Sequence, residues 1–203
     1  STLTLAGVIS ETGGPRSITK TGLNTLVLAG TNSYSGVTSV NGGTLSVTTS
    51  ANLGTAAATN GLAFNNGTLI VNGAISSPAR NVALNGLGGT IDTNGFDVIL
   101  GNVAGVGRLT KINGGVLTVN HVRGGNLSVN AGTLVVAPSA GALAGTSKVA
   151  DLVVDAGAGA KLDLKDNKLI TASPVGTFTG GAYDGVSGLV ASGKAGNWTG
   201  NGI

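Results

Sequence analysis

Residues 23–47 read Leu-Asn-Thr-Leu-Val-Leu-Ala-Gly-Thr-Asn-Ser-Tyr-Ser-Gly-Val-Thr-Ser-Val-Asn-Gly-Gly-Thr-Leu-Ser-Val. Apolar residues alternate with Thr, Ser and Asn, the period of a strand with one buried face. Leu26, Leu28, Leu45 and Val47 fall on one side of that alternation. Gly30, Gly36, Gly42 and Gly43 cut the run into short strands. A helix cannot use this spacing, whereas a hairpin can.

The phrase returns, which decides against an isolated hairpin. Ile18-Thr19-Lys20 followed by Thr25-Leu26-Val27-Leu28 has a counterpart 91 residues on, in Leu109-Thr110-Lys111 followed by Val116-Leu117-Thr118-Val119. Asn41 to Val47 matches Asn130 to Val136 at an offset of 89. Shorter echoes stand at Asn66 to Val71, Gly88 to Asp92 and Gly125 to Val129. Short Gly-x-Leu-x-Val strands returning every roughly 20–28 residues describe the coils of a solenoid. At about 22 residues per coil the chain makes about nine coils, a column of roughly 40 Å at the 4.8 Å strand spacing.

Leu26-Val27-Leu28-Ala29-Gly30, Asn32-Ser33-Tyr34-Ser35-Gly36 and Gly42-Gly43-Thr44-Leu45 together resemble the autotransporter-associated β-helix repeat of bacterial surface and secreted proteins. The positions carrying the likeness are Leu26, Leu28, Tyr34, Gly36, Gly43 and Leu45. The second copy departs from it, with His121-Val122-Arg123-Gly124 where Asn-x-Tyr-x-Gly belongs. The tail, from Lys161 to Leu169 and on through Asn197 and Trp198 to Ile203, is similar to the ends of large repeat proteins of environmental bacteria such as planctomycetes. The resemblance implies a right-handed parallel β-helix, all-β, outside the cell. It implies no catalytic residues, because the repeat carries none.

Composition agrees with such a fold. The chain has 203 residues, room for one solenoid. Charged residues are 9% and aromatics 3%, so Thr, Ser and Asn must form the polar surface. Hydrophobic content of 41% argues against compositional disorder. The 37 glycines lack the strict third-position period of collagen. A net charge of +3 spread from Arg16 to Lys194 is no nucleic-acid footprint. Lys161, Lys165 and Lys168 do cluster, but Asp163 and Asp166 sit among them. With no cysteine there is no disulfide framework. The start at Ser1, with no methionine in the chain, reads as a piece cut from a longer chain, and a removed secretion signal would fit. No apolar run has membrane-spanning length.

In chain order, Ser1 to Ser10 is an apolar strand at an open end, and Gly13-Gly14-Pro15 makes a turn. Two main repeats, 18–47 and 109–136, belong to a solenoid over residues 1–165. Residues 48–60 are an Ala- and Thr-rich loop with room for one helical turn. Residues 166–203 form a less regular C-terminal cap holding Phe178, Tyr183 and Trp198. End coils of solenoids need such covering.

The chemistry of an enzyme is sparse. His121 is the single histidine, and a lone histidine builds no metal cluster. No Gly-x-Ser-x-Gly elbow accompanies it. Asp92 with Asp97, and Asp151 with Asp155, are the carboxylate pairs a polysaccharide lyase or hydrolase would draw on. Gly101 to Gly107 lacks the lysine of a phosphate loop. No cofactor is expected.

Two functions follow. The first is an extracellular structural subunit stacking head to tail with copies of itself through its terminal strands. The joint would use Leu3, Leu5, Val8, Ile9, Phe178, Tyr183, Trp198 and Ile203. The second is a monomeric passenger stalk or adhesin that contacts glycans or surfaces through Asn and Thr rows or the aromatic tail. Neither needs nucleic acid or membrane insertion.

Overall fold

The structure, a computed structural model, describes residues 1–140 and 143–203, and of residues 195–198 the backbone alone. It is a parallel β-solenoid with three faces. The chain crosses them in the same order in each coil.

The first face stacks Thr2–Leu5 (β1), Thr25–Leu28, Thr44–Val47, Gly67–Val71, Gly89–Asp92 and Leu109–Ile112, then the second halves of Val122–Val129 and Ser147–Val154. The second face stacks Ile18–Lys20, Thr38–Val40, Leu62–Phe64, Val82–Leu84 and Val103–Gly105, then the first halves of the same two long strands and Leu169–Thr171. The third face is shorter: Ile75–Ser76, Val98–Ile99, Val116–Val119, Thr133–Val136 and Lys161–Asp163. Val122–Val129 turns the corner between the first two faces at Gly124-Gly125, which joins their ladders into one sheet.

On the first face Thr2, Thr25, Thr44, Thr68, Thr90, Thr110, Ser128 and Val153 stand one above another, so there are eight coils. The sequence suggested nine. Coil length runs from 18 residues (Thr110 to Ser128) to 25 (Ser128 to Val153), and the last thirty or so residues wind no coil.

The inward column beside these residues is Leu3, Leu26, Leu45, Leu69, Ile91, Lys111, Val129 and Val154. Similar aliphatic side chains stacked at all but the Lys111 rung help make a continuous core, with Leu45, Phe64, Ile91, Leu109, Leu117, Val129 and Leu134 fully buried. Each buried Leu or Phe contributes about 1.5–3 kcal/mol.

The two long sequence repeats prove to be one face out of phase. Ile18–Lys20 lies on the second face and Thr25–Leu28 on the first, while their counterparts Leu109–Ile112 and Val116–Val119 lie on the first and third. A strand–turn unit can sit on any of three similar faces. The second copy therefore keeps its local pattern but meets different neighbours, and so loses the Asn-x-Tyr-x-Gly centre.

The C-terminal cap is more regular than its sequence suggests. Phe178–Thr179 and Ala182–Tyr183 form an antiparallel hairpin, and Gly185–Trp198 is an α-helix (α1). After α1 the chain returns to the column, where Gly202 pairs in parallel with Lys161. Leu189 of α1 and Ile203 pack against the core.

Candidate functional site: the corners, sides and ends of the solenoid

The repeat motif has a structural explanation at each position. The Asn32 side chain accepts from Ile9 N at 2.8 Å and donates to Asn52 O at 2.6 Å, so one amide stitches three successive coils. Tyr34 is buried, with its hydroxyl 2.7 Å from Thr38 Oγ1, and burial raises its pKa. At Gly36 a Cβ would lie 2.4 Å from Arg16 O, so only glycine lets the coils approach there. Gly43 has a φ of 59° and carries the turn into Thr44-Leu45. Leu28 and Leu45 are core, and Leu26, one rung from the open end, is half-buried.

Three cations, Lys20, Arg80 and Lys111, are buried, none of them expected from the sequence reading. Lys20 donates to Thr21 O, Gly22 O and Gly42 O at 2.7–3.0 Å. Lys111 does the same with Ile112 O, Asn113 O and Ala131 O at 2.6–3.1 Å. The two lysines hold the same place in the sequence repeat and close equivalent turns at different corners. The third cation, Arg80, is wholly buried. Its Nη1 donates to Leu53 O at 3.0 Å, Asn60 O at 2.7 Å and Asn60 Oδ1, and its Nη2 donates to Gly54 O and Thr55 O. Arg80 thus ties down the 48–60 loop, whose expected helical turn is a 3-10 turn at Ser50–Leu53.

Burial pushes the Lys111 amine down to about 8 from 10.5, while the Asp92 carboxylate pulls it partly back. Between these two values the unfolded chain holds a proton that the folded chain has released, so stability rises with pH across this window. We expect the denaturation midpoint to rise from pH 8 to pH 10 relative to Lys111→Met, measured by urea titration. A parallel pH dependence in the variant would refute the assignment.

The candidate catalytic groups serve the architecture. His121 Nδ1 lies 3.1 Å from Ala144 O, and burial together with the neighbouring Arg123 lowers its pKa. Asp92 accepts from Asn94 N and from Asn113 Nδ2, and Asp97 from Val116 N. Asp151 accepts from Ser173 Oγ, and Asp155 caps a short turn through Ala158 N. Asp92 and Asp155 bond within their own turns, while Asp92, Asp97 and Asp151 each also or instead tie to the neighbouring coil. Among the described residues no group of three or more His, Cys, Asp or Glu side chains is placed to hold a metal ion. No described helix is long and apolar enough to cross a membrane.

The ends differ. At the N-terminal end β1 is exposed along its length, with Leu3 60% accessible although it belongs to the core column, and Val8 just after the strand is 66% accessible. Leu5 is also exposed, while Ile9 packs partly on the core. At the other end Ile203 is packed, whereas Phe178 and Tyr183 stand exposed on the hairpin with ring centroids 4.8 Å apart. The Trp198 side chain lies outside the described residues. Down the side, Thr25, Thr44, Thr68, Thr90 and Thr110 form a half-buried outward row on the first face.

Residues 18–47 match the family model described as passenger-associated-transport-repeat. They span the stacked strands on both sides of Asn32, Tyr34 and Gly36. Over 150 residues, 72% of its length, the chain is 35% identical to "Adhesin BmaC autotransporter" of Brucella suis biovar 1 (strain 1330). The chain spans 4% of that protein. No solved structure matches significantly.

Proposed function

We propose, from a chain that carries the passenger repeat of autotransporter proteins, that it is a rigid length of cell-surface passenger stalk. Its work is to hold a lateral surface in place for adhesion. The observation that carries this reading is the unbroken register of eight coils, with the matched repeat built into it as ordinary rungs. Parallel ladders with an apolar centre make a stiff rod, and each coil leans only on its neighbours. The similarity to an adhesin supports an extracellular or cell-surface setting and a binding rather than catalytic role.

A test is surface display. Fused ahead of an outer-membrane translocator barrel, the chain should reach the cell surface folded and protease-resistant, and should raise adherence of the bacteria to glycan-coated plates. Retention inside the cell, or display with unchanged adherence, would count against the proposal.

A second reading, head-to-tail self-association, is favoured by one feature. Leu3 and Leu5 are exposed on an edge strand able to accept another strand, and Val8 is exposed just beyond it. The opposite end offers a poorer mate, because Gly202 and Ile203 already occupy the next rung on the third face.

A further inference from the structure

We propose that a cleft on the flank of the second face, across the last three coils, binds an acidic saccharide. This goes beyond the stalk reading and does not depend on it. The cleft has a volume of about 620 Å³. Arg123, Lys148 and Ile170 line it as successive outward positions of one column, flanked by Thr146, Ala150 and Thr171.

Arg123 and Lys148 are direct partners on neighbouring strands, about 4.8 Å apart at the backbone, so two cationic side chains leave the column side by side. Such pairs destabilise a sheet. Among the described residues no carboxylate lines the cleft to relieve them, and the ion pair between Lys165 and Asp163 lies elsewhere. An anionic ligand would remove the repulsion.

Arg123 is already held for that task. Its Nε donates to Thr146 O at 3.0 Å, and its Nη2 donates to Leu143 O and Ala144 O at 3.2 and 3.0 Å. Nη1 has no hydrogen-bond partner among the described residues, and neither has the Lys148 ammonium. A cation fixed before binding loses little freedom on binding.

The rest of the lining selects the class of anion. Ile170, 54% exposed, and Ala150 give an aliphatic floor for the C–H face of a sugar ring, and the threonine hydroxyls suit its hydroxyl groups. Among the described residues no aromatic ring lines the cleft for base stacking, which disfavours single-stranded nucleic acid. The shared chemistry is a pyranose carrying carboxylate or sulfate.

The test is calorimetric titration of the whole chain with galacturonate oligosaccharides, heparin oligosaccharides, neutral dextran and duplex DNA. At least one acidic oligosaccharide should bind and dextran should not. The two acidic probes tell carboxylate from sulfate recognition. Lys148→Gln should weaken binding about tenfold. Lys148 is exposed and makes no hydrogen bond that the fold needs, and circular dichroism would check that the variant folds. Arg16→Gln removes the same charge at the far end and should change little. The proposal falls if neither acidic probe binds, if the two variants lose equal affinity, or if duplex DNA binds as tightly and is lost with Lys148.

Discussion

Arg80→Met is expected to lower the unfolding free energy by about 3–5 kcal/mol, the cost of a few orphaned buried carbonyls and a large effect for one side chain. The guanidinium is fully buried and has no carboxylate partner. Instead it sits in a nest of carbonyl oxygens from Leu53, Gly54, Thr55 and Asn60. Methionine fills much of the volume but donates nothing. Each buried carbonyl left without a donor costs about 1–3 kcal/mol. Burial lowers the Arg80 pKa, a sign of what enclosing the charge costs, yet the carbonyl nest keeps it in place. Asn60 also donates to Tyr34 O at 2.8 Å, so the loss spreads to the buried tyrosine of the repeat motif. Urea denaturation gives the loss, and limited proteolysis should cut first within residues 48–60. A change below about 1 kcal/mol with an uncut loop would mean that the loop holds itself.

Gly105→Ala should cost about as much, by a different route. Gly105 has a φ of 132°, a region that other residues avoid. A Cβ there would lie 2.1 Å from Leu84 O on the neighbouring coil. Backbone strain of about 1–3 kcal/mol adds to a similar cost of forcing two coils apart. Gly86→Ala is the control, since nothing lies within 4 Å of its Cβ position. It should stay within about 0.5 kcal/mol of the parent. Equal effects in the two variants would show that coil spacing is not set at Gly105.

The fold was legible because its determinants are local and repeated. Leu26 and Leu45 sit in phase with Leu69 and Ile91 both in the sequence and in the stacked column. The glycines bounding these strands mark real corners. What stayed hidden depends on contacts between coils. Lys111 occupies an inward position by its alternation, between Leu109 and the turn, yet a lysine is ordinarily taken for surface. Its place in the repeat opposite Lys20 was the signal available. Arg80 has no such clue, because its partners lie 20 to 27 residues earlier in a loop without a pattern. The one-face phase shift between the long repeats was equally invisible, since a linear match carries no face label.

Helix α1 shows the opposite conflict. Gly185, Gly188, Gly193 and Gly196 argue locally against a helix. Packing of Leu189, and the return of Gly202 and Ile203 to the column, override that preference. The consequence bears on function, because the cap occupies the end at which a second copy would have to dock. For the isolated chain we therefore expect association, where it occurs, to stop at a pair joined through β1.

Electron microscopy of the purified, untagged chain over a range of concentrations tests this account most directly. A capped eight-coil section should give discrete short rods of about 40 Å plus the cap, single or joined in pairs at their open ends. Filaments that lengthen with concentration and repeat axially at about the length of one rod would contradict it, and would make the chain a self-assembling fibre subunit instead of a length of passenger stalk.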